Sequence, residues 1–554
     1  MSGALSRAMA THRQSALAAL RAVATECQAL AASFSDEQTT EGLILADGMC
    51  AVFQRPAAAA AVAGSAGGSA AQLLEFLSVV PHELLIIIMS QLRTRDVACL
   101  AAASRSLWFE PADGLVETEL RRRAEARGLH IGSALPEGTL TWVPYLLKRD
   151  YHRRLRREAP LAVGNERSLF VDWEGHLRLS CRRDKIAARE VGEPLMGHDW
   201  SWCTGDSVPP TLVPTIPGTR FLSVATGDRH CLALSGEGEV YSWGDNTHAV
   251  LGHVDGMPVR AGPRKIDTLA HIESIAAGPD YTCAVVDDRG RLFTWGQTRA
   301  FEYDDDDEPL NPPFGLGYWL HPETEFQESP KWVDALSEYR VVGVALGVDF
   351  TLAVTDLGAV FSFGSSGFGA LGHGSLKSEV LPRRIEALTQ TRRRFVAVAA
   401  GDFHALALTE EGEVYGWGNG SANGSATSEG ENQYTPQRVT ALASERVLLL
   451  HARSTSSCAV IENGGLFTWG RGAFNSFNLG HGVVTPQQTP KRVEALRRVH
   501  ITAAAICNSH TLVADSDGAV WCFGQEFGVG EEFAPPGGLV EPTPIPTLRV
   551  RTLP

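Results

Sequence analysis

The feature that most constrains this chain is a pattern that returns seven times over its C-terminal two-thirds, mostly at steps of 52 to 54 residues. The clearest copy runs from Phe395 to Gly418 and reads FVAVAAGDFHALALTEEGEVYGWG. An apolar run leads into Gly401-x-x-His404, and two further apolar runs follow, the last ending at Trp417-Gly418. Self-similarity at a fixed period indicates one supersecondary unit, repeated so that neighbours bury each other's faces. The equivalent turn glycines are Gly175, Gly238, Gly290, Gly358, Gly412, Gly465 and Gly518.

Each copy reads as short strands with period-two alternation between Gly and Asp turns, which is typical of β structure. A unit of about four strands repeated seven times predicts a β-propeller. A second marker of the form Pro-x-x-Val/Ile-x-x-Leu closes five copies. It begins at Pro263, Pro330, Pro382, Pro436 and Pro490.

The two ends of the repeat region predict how the ring closes. The first copy, Pro160 to Cys181, has lost the Trp-Gly pair and begins within a unit. The chain ends with an unmatched Pro-x-x-x-Leu in PTPIPTLRVRTLP. We therefore expect this last segment to supply the strand that closes the ring against Leu161-Ala162-Val163.

The recurring glycines, histidines and aromatic residues are interpreted as structural. His230, His404 and His510 hold one repeat position, which Tyr281 and Phe350 fill in other copies. A catalytic base is not expected in several blades at once, so these rings should pack, with a ring nitrogen bonded to backbone. The aromatic residue before each second glycine should lie in the core between blades, each burying on the order of 150–250 Å². The predicted structural positions are Gly227, His230, Trp243, Gly244, Gly278, Trp295, Gly296, Gly347, Phe363, Gly364, Gly401, His404, Trp417, Gly418, Trp469, Gly470, His510, Phe523 and Gly524.

The repeats resemble those of the RCC1 type, named for the regulator of chromosome condensation. The order Gly…Gly…Trp-Gly…Leu-Gly-His recurs in register, as at Leu371-Gly372-His373 and Leu479-Gly480-His481. The resemblance covers residues 160 to 554 and implies a seven-bladed propeller. Kelch repeats have a similar length but expect a regular Gly-Gly doublet, which here occurs inside a repeat only at Gly464-Gly465.

Composition is that of a soluble globular protein, with 44% hydrophobic and 20% charged residues. The sequence has no apolar stretch of 18 or more residues, so no membrane span is predicted.

The 10 cysteines never form Cys-x-x-Cys, so neither a zinc site nor a disulfide framework is expected. A reducing compartment, the cytoplasm and/or nucleus, fits best. A net charge of −15 makes nucleic acid an improbable partner.

Motifs that resemble chemical sites have structural explanations, so we expect no catalytic residue, metal or cofactor. Gly367 to Gly372 matches G-x-G-x-x-G, but a polar loop follows instead of the helix that would receive a pyrophosphate. The acidic run Asp304 to Glu308 lacks the spaced ligands and turn glycine of a calcium loop.

The N-terminal third predicts three further segments. Residues 1–72 are predicted to be an Ala-rich or disordered segment and linker, with a marginal helix at the start, for which a transit peptide is the alternative. Residues 73–112 predict a small all-α domain, and residues 113–159 a basic helical connector, for which a nuclear-import or acidic-partner patch is the alternative. The fold class is thus mainly β, with a propeller over residues 160–554.

The all-α domain resembles an F-box. The family's order stands here as Val80-Pro81-His82-Glu83-Leu84, Leu92, Asp96-Val97, Ser104-Arg105 and Trp108, with Val80 and Val97 replacing leucines. Six apolar residues, Leu84 to Met89, go all the way round a helix, so this helix needs burial on more than one side. The alternative is a helical hairpin that packs on the propeller as a lid.

These resemblances imply a non-enzymatic adaptor. The F-box would dock a Skp1-type subunit of a cullin ubiquitin ligase, and the propeller loops would recruit an unknown protein substrate. The RCC1 resemblance implies an alternative, nucleotide exchange on a Ran-like small GTPase; a propeller scaffold is the third. The residues expected at the Skp1-type contact are Pro81, Glu83, Leu84, Leu85, Ile88, Val97, Leu100 and Trp108.

Overall fold

The computed structural model describes residues 157–164, 167–182, 207–213, 216–279, 282–297, 315–318, 326–425, 430–471, 477–483, 485–525 and 538–551. These residues all belong to the second of two units into which the chain divides, Met1–Tyr151 and His152–Pro554. The predictions for residues 1–156, including the F-box-like segment and its eight proposed contact residues, lie outside the described residues.

The described residues form 28 strands in seven sheets of four, which we call blades 1 to 7. Blade 1 comprises β1 (Leu161–Gly164), β2 (Arg167–Val171), β3 (Leu177–Arg182) and β4 (Ser207–Leu212). Blade 2 comprises β5 (Phe221–Thr226), β6 (His230–Ser235), β7 (Val240–Asp245) and β8 (Val259–Lys265). Blade 3 comprises β9 (Ile272–Ala277), β10 (Thr282–Asp287), β11 (Leu292–Gln297) and β12 (Phe326–Trp332).

Blade 4 comprises β13 (Val341–Leu346), β14 (Phe350–Thr355), β15 (Val360–Gly364) and β16 (Glu379–Arg384). Blade 5 comprises β17 (Phe395–Ala400), β18 (His404–Thr409), β19 (Val414–Gly418) and β20 (Gln433–Arg438). Blade 6 comprises β21 (Val447–Arg453), β22 (Ser456–Ile461), β23 (Leu466–Gly470) and β24 (Gln487–Arg492). Blade 7 comprises β25 (Ile501–Ile506), β26 (His510–Asp515), β27 (Ala519–Gly524) and β28 (Leu539–Arg549). Between the strands of the described segments lie helix α1 (Glu386–Gln390) and 3-10 turns at Asp334–Leu336, Gly367–Gly369, Thr440–Leu442, Phe477–Leu479 and Glu494–Leu496.

The blades close into a ring. Within each blade the four strands pair antiparallel in chain order. The first strand of every blade contacts the first strand of the next, from β1 to β5 and onward to β25, which contacts β1. The first strands therefore line a central channel and the fourth strands lie at the rim. The predicted seven-bladed propeller is confirmed.

Apolar side chains fill each junction between neighbouring blades. Seven clusters of buried residues correspond to the seven junctions, including one that joins blade 7 to blade 1. Indole nitrogens tie three of these junctions: Nε1 of Trp295, Trp417 and Trp469 donates to a carbonyl oxygen of the preceding blade at 2.7–2.9 Å. The fully buried aromatic residues at this repeat position are Trp243, Trp295, Phe363, Trp417, Trp469 and Phe523.

The Pro-x-x-Val/Ile-x-x-Leu marker explains the outer edge of the blades. Its prolines lie in the fourth strands, as Pro436 does in β20. Because proline has no N–H to offer, it suits an edge strand and opposes pairing with another chain. The hydrophobic residues of the marker turn inward: Val439 and Leu442, in and beside a 3-10 turn, are buried.

Ring closure differs from the expectation that the last segment pairs with Leu161-Ala162-Val163. That expectation is wrong, because β28 pairs with β27 of its own blade and β1 pairs with β2. Both end blades are complete meanders. They meet through packing in which Ile545 and Leu548 are buried, through an isolated β-bridge between Asp172 and Val550, and through side-chain hydrogen bonds described below.

Two glycines show why the repeat needs them. Gly418 has φ of +87°, and a Cβ there would lie 2.4 Å from the carbonyl oxygen of Phe403. A Cβ on Gly401 would lie 2.1 Å from the ring of His404 and 2.5 Å from the carbonyl oxygen of Ser454 in the next blade. The first constraint comes from a strand bulge and the second from close approach between blades.

Strand register changes one sequence assignment. Thr282 pairs with Gly296 as His404 pairs with Gly418, so Thr282 holds the histidine position in blade 3. The assignment of Tyr281 to that position was wrong, because the turn between β9 and β10 has one extra residue. Phe350 is placed as expected, opposite Gly364.

Candidate protein-binding face

The meander places two kinds of loop at each end of the ring. Turns between first and second strands, such as 401–403, lie at the same end as connections between third and fourth strands, such as 365–378. We call this end the upper face. The short turns between second and third strands and the links between blades form the lower face. The upper face carries the longer connections, which suits it to binding because loop sequence can vary without disturbing the sheets.

The repeated histidines bind side chains of the next blade. His404 Nε2 lies 2.7 Å from Ser457 Oγ, and His230 Nε2 lies 3.2 Å from Cys283 Sγ. The sequence analysis expected a ring nitrogen to bond to backbone. In the described contacts, Nε2 instead forms a hydrogen bond to a side chain of the neighbouring blade. Burial lowers the pKa of His404 and of His230 to about 3, so both rings are neutral near pH 7.

A Cys-His-Ser arrangement at the closure of the ring was missed by sequence reasoning. His510 Nε2 lies 2.7 Å from Ser168 Oγ of blade 1, and its Nδ1 lies 3.5 Å from Cys507 Sγ. Burial raises the pKa of the Cys507 thiol, His510 lowers it, and the result is a pKa of about 7. All three residues have no exposed surface, so a substrate has no approach to the sulfur. The group joins the end blades.

A second set of histidines orders the upper-face connections. Ser362 Oγ donates to Leu371 O at 2.7 Å and contacts His373 Nε2 at 3.0 Å. Thr468 holds Leu479 O and His481 in the same way. Leu-Gly-His thus fixes the middle of each of these two connections to the third strand of its own blade.

One acidic cluster on the lower face has the spacing of metal ligands. Ligand atoms of Asp172, Glu174 and His176 lie within 4.8 Å of one another. Yet Asp172 Oδ1 accepts the backbone N–H groups of Glu174 and His176, and Asp287 and Asp515 accept N–H groups two and four residues on in the same way. The carboxylate at this repeat position therefore stabilises the turn between the second and third strands by accepting its backbone N–H groups.

Arg453 departs from the repeat and crosses the central channel. It follows the position of Ala400 in the blade 5 copy, where the repeat has Gly401. Its guanidinium donates to Thr226 O at 2.7 Å and to Asp228 Oδ1 at 2.8 Å. Thr226 belongs to blade 2, so the side chain joins two blades that are not neighbours and spans the upper mouth of the channel. Sequence analysis missed it, although an arginine at a glycine position was a visible signal.

Replacing Arg453 by methionine should lower the free energy of unfolding by about 2–4 kcal/mol, because two charged hydrogen bonds are lost and Asp228 keeps its charge. Urea denaturation measures the change. Arg229→Ala is the matched control, because the exposed Arg229 only approaches Asp245, at 3.9 Å. In a double-mutant cycle that combines Arg453→Met with Asp228→Asn, the losses of unfolding free energy should be non-additive. Additive losses would contradict the ion pair between Arg453 and Asp228.

Exposed apolar side chains occur on both faces, but they gather on the upper one. The upper face presents Val254, Met257, Phe368, Leu376, Tyr434, Val483 and Val540. The lower face presents Trp173, Leu212, Trp332, Tyr339 and Leu357. Among the helices of the described segments, none combines the length and apolar character of a membrane span.

Known proteins similar to this chain share its propeller. Human E3 ubiquitin-protein ligase HERC2 is 34% identical over 309 residues, which are 55% of this chain and only 6% of HERC2. The ultraviolet-B receptor UVR8 of Arabidopsis thaliana is 30% identical over 338 residues, covering 58% of this chain and 71% of the receptor. The match to HERC2 therefore concerns one small part of a much longer protein.

Solved structures agree in fold. Prp20p of Saccharomyces cerevisiae, described together with its binding properties to Gsp1p and histones, has a TM-score of 0.56 at 21% identity, covering 75% of this chain and 90% of Prp20p. Human WBSCR16 has a TM-score of 0.52 at 21% identity, covering 64% and 85%. The family profile of the RCC1-like domain matches residues 191–550. With its seven four-stranded repeats, this chain belongs to the RCC1-like domain family.

Proposed function

We propose that this protein is a non-catalytic adaptor of a Skp1–cullin–F-box ubiquitin ligase, in which the propeller recruits a protein substrate. The observation that carries the proposal is the F-box-like order from Pro81 to Trp108, which stands ahead of an RCC1-like propeller in the same chain. In this arrangement the ubiquitin-transfer chemistry belongs to other subunits.

The propeller offers features that suit recruitment. Its ring is closed by packing between the end blades, and its outer strands carry prolines. Its upper-face connections present exposed apolar side chains. In the described residues, the one Cys-His-Ser group is fully buried, which favours binding over catalysis. Among the relatives, HERC2 is named an E3 ubiquitin-protein ligase and HERC3 a probable one. The cytoplasm or nucleus is the compartment that such an adaptor would occupy.

Co-purification tests the docking half of the proposal. A Skp1-type subunit should co-purify with the full chain and be lost, by about tenfold or more, from the variant Pro81→Ala/Leu84→Ala/Leu85→Ala, because hot-spot residues dominate such contacts. Leu357→Ala, an exposed apolar residue of the lower face, is the control and should bind normally.

Failure of the wild-type chain to bind would contradict the adaptor. The F-box-like segment would then be a local helical lid. Nucleotide exchange on a Ran-like small GTPase, the alternative that the RCC1 resemblance implies, would be the next assay, and a chain inactive in both would be a propeller scaffold.

A further inference from the structure

Two aromatic rings contact each other at the junction of blades 4 and 5 on the upper face, and a third aromatic residue lies beside the same turn. The rings of Phe368 and Phe403 lie 5.1 Å apart at 52°. Tyr434, at the start of β20, lies beside Gly369. Phe368 is 43% exposed and Tyr434 is 42% exposed, so both remain open to solvent. We call Phe368, Phe403 and Tyr434 the aromatic patch.

The literal G-x-G-x-x-G segment builds this patch. Phe368 has φ of +56° and ψ of +13°, a backbone conformation that bulky residues rarely adopt. A Cβ on Gly369 would lie 2.4 Å from Tyr434 Cδ1, and one on Gly367 would lie 3.4 Å from Phe403 Cδ1. Gly369 therefore lets the turn close onto Tyr434, and Gly367 lies at ordinary van der Waals distance from Phe403, while the strained residue between the two glycines keeps its side chain partly exposed.

The propeller itself does not require aromatic residues at these positions. Strand register identifies which residues of the other blades occupy the positions equivalent to those of the patch. In the repeat, Phe368 corresponds to His248 and Gly420; Phe403 to Arg229, Asp349, Thr455 and Ser509, and in blade 3 to Tyr281; and Tyr434 to Ala261, Glu328, Val380 and Gln488. Three aromatic residues at one junction are thus specific to this junction and call for an explanation other than folding.

The charges around the patch are mainly negative. Asp402 precedes Phe403 in its turn, and its Oδ2 accepts the hydroxyl of Ser454 at 3.1 Å. Asp349 adjoins the blade 4 connection, because its carbonyl oxygen accepts the Ser365 N–H at 2.8 Å. Glu431 is exposed just before β20, and Lys377 is the exposed base of the blade 4 connection. A lysine or arginine of a partner would meet both these carboxylates and the faces of the rings, which attract cations.

We propose that the aromatic patch is the anchor site for the propeller's partner, a protein segment with an apolar side chain next to a lysine or arginine. The inference rests on the proposed role of the propeller in recruiting proteins, and it names the site and the chemistry of the ligand. Exposed aromatic clusters beside charged groups are typical of the few residues that dominate protein interfaces.

Selection from random peptides displayed on phage, with the full chain as bait, tests the site. Enriched peptides should combine an apolar residue with an adjacent lysine or arginine. Measured by fluorescence anisotropy, their affinity should fall about tenfold or more for Phe368→Ala, and about threefold at low salt for Asp402→Asn. Leu357→Ala on the lower face is the matched control and should bind within about twofold of wild type.

Equal binding to wild type and Phe368→Ala would overturn the proposal, as would failure to enrich peptides or enrichment of acidic ones. Because Phe368 is exposed, the Phe368→Ala variant should have the same melting temperature as wild type. An unchanged melting temperature then shows that weaker binding comes from loss of the site and not from unfolding. The assay is independent of Skp1: a chain that fails to co-purify Skp1 but binds these peptides keeps the patch and loses the adaptor role. The converse result keeps docking and loses the patch.

Discussion

A chain that ends at Gly538 should lose most of its stability and unfold without a sharp thermal transition. Truncation there removes β28, and with it Ile545, Leu548 and Val550, each 3% exposed. Burial of such side chains contributes about 1.5–3 kcal/mol each, so the loss is roughly 5–9 kcal/mol, comparable to the total stability of a typical domain. Circular dichroism during heating measures the effect.

The truncation also tests how the ring closes. Loss of β28 removes the bridge between Asp172 and Val550 and the bond from Trp173 N–H to Arg549 O, so blade 1 loses its neighbour. A chain that ends at Arg551 keeps all of β28 and should melt within a few degrees of wild type. An unchanged melting temperature after truncation at Gly538 would contradict closure by packing between blades 7 and 1.

Features that depend on one repeat alone were predictable from the sequence. The alternation of apolar residues, the turn glycines and the period together led to seven four-stranded blades. The marker prolines could also be interpreted, since an edge strand is where a sheet tolerates proline. Each of these signals lies within about one period of chain, and each is present in several copies.

Ring closure was not predictable, because a repeat has no intrinsic starting point. The fourth strand of blade 1, β4, lies beyond the connection 183–206, and its marker has isoleucine in place of the final leucine, as Pro210-x-x-Val213-x-x-Ile216, so the first copy looked incomplete. The same period fits a ring closed by a shared strand or one closed by packing. Only the pairing of β28 with β27 distinguishes the two.

The candidate face could have been found by looking for departures from the repeat. Arg453 stands where five of the other six copies have glycine, and Phe368 stands where other described blades have His248 or Gly420. The histidine partners were partly accessible too, since His404 and Ser457 are 53 residues apart, one period. His510 and Ser168 are 342 residues apart, a pairing that becomes visible only when the ring is closed.

The chain should lose stability steeply as pH falls below about 6.5. Burial lowers the pKa of His404 to about 3, and burial followed by the charges of Arg167 and Arg453 lowers that of His230 to about 3. Between these values and the ordinary 6.5, the unfolded chain binds more protons than the folded chain. Each ring then costs about 1.4 kcal/mol of unfolding free energy per pH unit, or roughly 3 kcal/mol by pH 4.

Replacing His404 by phenylalanine isolates this effect from the titration of carboxyl groups. Phe350 fills the same position in blade 4, so the ring size is one that the repeat accepts. Ser457 keeps a partner, because its Oγ also donates to Ala422 O at 3.1 Å. The variant should have nearly wild-type stability at pH 7 and a slope between pH 6 and 4 that is shallower by about 1.4 kcal/mol per pH unit.

The reverse substitution, Phe350→His, provides the control, because it places a histidine at the same buried position in blade 4. The residue opposite it in the next blade is Ala405, which offers no side-chain partner to the ring. Its unfolding free energy should therefore fall at pH 7, and its dependence on pH between 6 and 4 should become steeper. Urea denaturation at a series of pH values measures all three slopes. Parallel curves for wild type and His404→Phe would show that the histidines between blades do not set the acid stability of the ring.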